Sequence, residues 1–130
     1  MNKTRKRNYK LFYKSKESGY VYPNEYWHMN NYVQFTIAGT RYREGLEEYV
    51  GEFMGRLVPE MDNENDPLAI RVEHTDGHHI GYVPKNMTME VREFKKLPCD
   101  CYCYIERRRD DEGDKYYYAL CYVSERPVGE

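Results

Sequence analysis

Leucine and isoleucine are scarce in this chain, and no apolar run approaches the roughly 20 residues that a membrane-crossing helix needs. A helical membrane span is therefore excluded. The N-terminus is basic, but no apolar stretch follows it, so a signal peptide is not expected. Cysteine is sparse and badly placed for a disulfide framework: Cys99, Cys101 and Cys103 alternate along one segment, and Cys121 stands apart. A reducing, cytoplasmic setting is the expectation. The motifs of common enzymes are missing as well. There is no phosphate-binding glycine loop ending in Lys-Ser/Thr, no Gly-x-Ser-x-Gly and no His-Glu-x-x-His. The formal net charge is −2 with both signs interspersed, which rules out a uniformly basic surface.

What the chain does have is tyrosine, 15 in 130 residues. Tyrosine favours strands and half-wet surfaces, because it joins an apolar body to a polar tip. A length of 130 residues suits one domain with a real core. Residues 1–31 read as a basic and aromatic extension, partly disordered, in which Tyr9 to Tyr13 could add an edge strand. Residues 32–125 read as the folded domain and 126–130 as a tail.

Within the domain, Val33, Phe35 and Ile37 alternate with polar or small residues, which predicts a strand from Val33 to Thr40 closed by Gly39. Leu46, Tyr49, Val50 and Phe53 fall at helical spacing, and Leu57 to Met61 reads as a short strand. Ala69 to Thr75 and His78 to Val83 form a hairpin across Asp76-Gly77, which suits a two-residue turn. Asn86 is placed to cap a helix with Met87, Val91 and Phe94 on its apolar face. Pro98 stops that helix, and two longer strands follow, Cys99 to Arg109 and Lys115 to Val123. The fold class is mainly β: a small OB-like or modified β-barrel of about six strands with one or two short helices.

The hairpin carries the densest chemistry. A two-residue turn sets Val72 opposite Gly81 and Ile70 opposite Val83, facing the core, with Arg71 opposite Tyr82 on the other face. Lys85 follows just beyond. An aromatic face flanked by cations suits a base and its phosphate. The same register faces His74 with His79, but two imidazoles fall short of a usual metal set. In a flat strand Cys99, Cys101 and Cys103 share one face with neighbours roughly 7 Å apart. Thiolates on one metal sit within roughly 4 Å of each other. The cysteines are therefore read as reduced core residues, and no metal or cofactor is assigned. In the Asp62–Asp66 loop, Asn and Asp turn the chain and Pro67 starts the next strand.

Several segments in order carry a family likeness: Phe35-Thr36-Ile37-Ala38-Gly39-Thr40-Arg41-Tyr42, Asn63-Glu64-Asn65-Asp66-Pro67-Leu68-Ala69-Ile70-Arg71-Val72, Asp76-Gly77 and Ile80-Gly81-Tyr82-Val83-Pro84-Lys85. Along residues 32–123 this series resembles the HIRAN domain. The resemblance implies a modified OB-like barrel that binds single-stranded DNA and recognises a free 3′-hydroxyl end. It implies a binding module and not an enzyme, with any DNA-dependent ATPase supplied in trans. By the same resemblance, Arg41 would contact phosphate, Tyr42 would stack on the terminal base, and Asp66 would accept the 3′-hydroxyl proton. Asn63 matches a loop asparagine and Lys85 a lysine near the end backbone. Asn65 stands where eukaryotic members carry a second aromatic. The candidate DNA-binding set is thus Arg41, Tyr42, Asn63, Asn65, Asp66, Arg71, Tyr82 and Lys85. The acidic residues Glu44, Glu47, Glu48, Glu52, Glu60 and Glu64 motivate an alternative, a protein-interaction barrel without DNA binding. A metal-binding or hydrolase-associated domain is a third reading, which no motif supports.

Overall fold

A computed structural model describes residues 12–14, 21–23 and 31–126. They fall into two units, divided at Val33 and Val123. In the flanking unit, β1 (Phe12–Lys14) pairs antiparallel with β2 (Val21–Pro23). Also in that unit, the Asn31 side chain donates to Glu125 Oε2 at 2.7 Å. The expected basic extension lies mostly outside the described residues.

The central unit is built on a six-stranded sheet. Its strands are β3 (Tyr32–Thr36), β4 (Gly51–Pro59), β5 (Ile70–His74), β6 (His79–Tyr82), β7 (Cys99–Arg109) and β8 (Lys115–Ser124). Their order is β3-β8-β7-β4-β5-β6, antiparallel from β8 to β6. One bridge, Ala38 to Tyr82, joins the two outer strands' ends and closes the sheet into a barrel. Both of its hydrogen bonds are short, at 2.8 and 2.9 Å. Alternating positions fill the interior: Phe35 and Ile37, Leu57, Ile70 and Val72, and Cys101, Cys103 and Ile105 are all buried.

The two long strands Cys99–Arg109 and Lys115–Ser124 form as their alternation predicts. Several expectations are corrected. The first strand stops at Thr36, and Gly39 at φ +75° turns the chain into a 3-10 turn at Thr40–Tyr42. The helical stripe at Leu46–Phe53 is a single 3-10 turn, Leu46–Tyr49, and Leu57–Met61 is no separate strand. Gly51 begins β4, which runs unbroken to Pro59. So short a segment gains little as a helix, whereas β4 pairs with β7 over Gly51–Leu57 and with β5 over Gly55–Pro59.

The hairpin turn is longer than two residues. His74 accepts from Gly77 and donates to His78, so the loop is Thr75-Asp76-Gly77 with Gly77 at φ +95°. This is a three-residue hairpin with glycine in the left-handed position. Glu73, not His74, lies opposite His79, and a bulge between Val72 and Glu73 restores Val72–Gly81 and Arg71–Tyr82. The bulge lets Ile80 and Gly81 both be buried. Finally, helix α1 (Thr88–Phe94) is preceded by a 3-10 turn at Lys85–Met87, and Met87 takes the cap position instead of Asn86. Its buried face does carry Val91, with Met87 and Phe94 packed on the core.

A candidate nucleic-acid end cleft

The barrel closure shapes a cleft of about 360 Å³ beside the Ala38–Tyr82 bridge. Its floor is Ala38, Gly39, Ala69 and Val83; its polar rim is Tyr42, Arg43, Asn63, Asn65, Asp66, Tyr82 and Lys85. Local geometry explains how each rim group is placed.

Gly39 permits the turn that thrusts Tyr42 outward, where the ring is 73% exposed. Arg41 stands beside that ring, its guanidinium 6.0 Å from the centroid, but does not line the cleft. Arg43 does. Its Nη1 donates to His79 Nδ1 at 2.7 Å, and His79 Nε2 donates to the Gly81 carbonyl at 2.9 Å. Those two bonds fix a neutral imidazole. Burial, with Arg71 and Arg43 close by, pulls the His79 pKa down to about 4.

The opposite wall is the loop from Glu60 to Ala69. Asn63 Oδ1 accepts from the backbone N–H groups of Asn65 at 3.0 Å and Asp66 at 2.9 Å. Asp66 Oδ1 accepts from Leu68 N at 3.1 Å. Asn63 is thus a loop former whose side-chain oxygen is spent on the backbone, while Asp66 uses one carboxylate oxygen to turn the chain. Lys85, exposed, sits at the end of the cleft where β6 runs into the 3-10 turn.

Beneath the rim Glu60 is a hub. It accepts from the Tyr82 hydroxyl at 3.0 Å and from Asn63 Nδ2 at 2.8 Å, and Arg71 Nη1 lies 3.6 Å away. Tyr82 is therefore a half-buried wall, edge-on to His79 with centroids 4.8 Å apart, and not a free platform. Burial first, then the Glu60 bond, pushes its phenol pKa up. Arg71 lies opposite Tyr82 as expected, but its guanidinium is held by Glu73 at 3.0 Å and stays out of the cleft. So the structure gathers Tyr42, Asn63, Asn65, Asp66, Tyr82 and Lys85 and leaves out Arg41 and Arg71. Sequence reasoning missed Arg43, His79 and Glu60. Arg43 sits directly after the Arg41-Tyr42 pair, and that adjacency was the only available signal.

A neighbouring recess of about 430 Å³ is lined by Glu44, His78 and His79 among others. His78 stacks on Tyr49 at 4.7 Å and donates to the Glu44 carbonyl at 2.8 Å. The Tyr49 hydroxyl donates to Asp76 at 2.7 Å, which pushes the phenol pKa up to about 12.

The cysteines depart from the flat-strand expectation. Cys101 and Cys103 Sγ lie 3.8 Å apart. With Cys121 their sulfurs all fall within 4.8 Å of one another, fully buried. The two side chains of β7 lean toward each other in the curved wall of the closed barrel.

Comparison with known proteins gives one family. The HIRAN domain family model matches residues 30–125. Among solved structures, the chain is similar to the HIRAN domain of human HLTF at 15% identity, covering 71% of this chain and 74% of that one with a TM-score of 0.44. It is also similar to a protein from Lactobacillus plantarum at 16% identity, covering 72% of this chain and 97% of that one, with a TM-score of 0.44. None of the curated proteins compared matches the chain.

Proposed function

The chain belongs to the HIRAN domain family, and from that premise we propose that it is a nucleic-acid-binding module that holds the 3′-hydroxyl end of a single DNA strand. One observation carries the reading: a single cleft gathers an exposed ring, two cations and a carboxylate, namely Tyr42, Arg43, Lys85 and Asp66. The ring offers a face to the terminal base. Arg43 and Lys85 attract the phosphates, with Arg41 at the outer edge of the ring. Asp66 accepts the hydroxyl proton through its remaining oxygen. A 3′-phosphate there meets a like charge, at a cost of about 1–4 kcal/mol at 4 Å between bulk water and the protein surface. Strands ending in 3′-hydroxyl should therefore bind at least severalfold tighter than strands ending in 3′-phosphate. Asp66→Asn should narrow that gap by strengthening the phosphate-ended complex. Fluorescence-anisotropy titration with both ends checks this, and equal affinities in the unaltered protein would sink end recognition. The role so proposed is binding.

A second reading rests on Met61 and Leu68, which are 82% and 45% exposed on the loop that builds one wall. They suit a protein partner in place of DNA. That reading expects no salt-dependent DNA binding and co-purification of a partner protein.

A further inference from the structure

We infer that Cys101, Cys103 and Cys121 form a three-thiol site for a trivalent thiophilic ion, for which arsenite is the probe. The cluster lies in the barrel interior, apart from the cleft residues. In the β-ladder Cys103 pairs directly with Cys121, and Cys101 pairs with Gly55 of β4. All three side chains are 0% exposed. Their sulfurs, 3.8 Å apart at the closest pair and within 4.8 Å throughout, are near the roughly 4 Å spacing of thiolates sharing one metal.

Gly55 keeps one side of the cluster open. A Cβ there would sit 3.3 Å from both Cys101 Sγ and Cys103 Sγ, and 2.6 Å from the Glu73 carbonyl oxygen. Any side chain on β4 at this point would press into the sulfurs. The Glu73 carbonyl is the tighter exclusion, and the glycine leaves the sulfur side clear as well.

Charge selects the ion. All three thiols are fully buried within the hydrophobic core. Three thiolates with a divalent ion leave one negative charge, and with a monovalent ion two. A net charge in such a core is strongly unfavourable. Tetrahedral zinc also wants a fourth ligand, and among the described residues the cluster offers three. A trivalent ion is neutralised by three thiolates. With arsenous acid, three As–O bonds break and three As–S bonds form. Each thiol proton leaves on a hydroxyl as water, and no oxidation state changes.

The sulfurs are reached through local opening of the barrel, so loading is slow or accompanies refolding. The test incubates the reduced full-length chain with arsenite, and in parallel with zinc(II) and copper(I), during refolding from urea. Native mass spectrometry reads the stoichiometry, and thiol alkylation maps the cysteines. One arsenic per chain is expected, a higher melting midpoint, and alkylation confined to Cys99 of the four free cysteines. Cys99→Ala should keep the stoichiometry, and Cys121→Ala should lose it. The mapping on the unaltered chain decides the matter even where Cys121→Ala does not fold. Absence of bound arsenic, equal alkylation of all four cysteines, or binding of zinc(II) or copper(I) in preference overturns the proposal.

Discussion

His79 is packed where a charge is unwelcome. It accepts from one guanidinium, stands near a second, and is edge-on to Tyr82. Its folded pKa of about 4 lies below the ordinary 6.5. The unfolded chain therefore takes up the proton first, and the stability linked to this residue is full above about pH 6.5 and lost as the pH falls toward about 4. Melting midpoints should decline across that window. His79→Gln supplies an acceptor for Arg43 and a donor for Gly81, so it should flatten the decline without disturbing the fold at neutral pH. A decline of equal steepness in the variant would assign the pH dependence to other groups. In the proposed function the residue would hold Arg43 at the cleft.

At the scale of elements, the β5–β6 hairpin decides where the cleft's wall stands. Gly81 is the tightest point. An added Cβ would lie 2.5 Å from the Ala38 carbonyl oxygen and 2.6 Å from Ile37 Cγ2, against the bridge that closes the barrel. Gly81→Ala should cost about 1–3 kcal/mol or more, since backbone must move. Gly77→Ala, at φ +95° with open space around it, should cost about 1 kcal/mol. Urea unfolding midpoints check the order, and Gly81→Ala should also weaken DNA binding because Ala38 and Tyr82 both line the cleft. Much of this hairpin was legible in the sequence. The alternation and the Asp76-Gly77 turn gave the correct partners for Val72 and Arg71. His74 and His79 were misaligned because two irregularities cancel: the loop takes one more residue and the bulge gives it back. A compensated pair of shifts leaves the flanking pattern unchanged, so period alone does not reveal it. The Leu46–Phe53 stripe misled for another reason. Its spacing is helical, but β4 has partners on both edges, and a nonlocal ladder outweighs a weak local preference.

For the whole molecule, net charge is −2, so attraction for a polyanion must come from a local arrangement and not from the sum. Arg41, Arg43 and Lys85 are the cations at or beside the cleft. If each neutralises a phosphate, the slope of log affinity against log salt should be about −2 for a single strand, and Lys85→Ala should make it shallower by about 0.7. A slope near zero would favour the protein-partner reading. Among the described residues no helix is long and apolar enough to cross a membrane. The family was legible from the spacing of short segments, because turn-forming glycines and asparagines and the alternation of core residues are local requirements of the chain. The strands other than β4, and the loop of Asn63 and Asp66, were determined in that way, apart from the end of the first strand. Only the tertiary structure decided that Arg43 faces the cleft while Arg71 turns to Glu60 and Glu73, and that three sulfurs on two strands converge. Those outcomes depend on the Ala38–Tyr82 closure and the curvature it imposes, which join residues far apart in sequence and leave no local pattern behind.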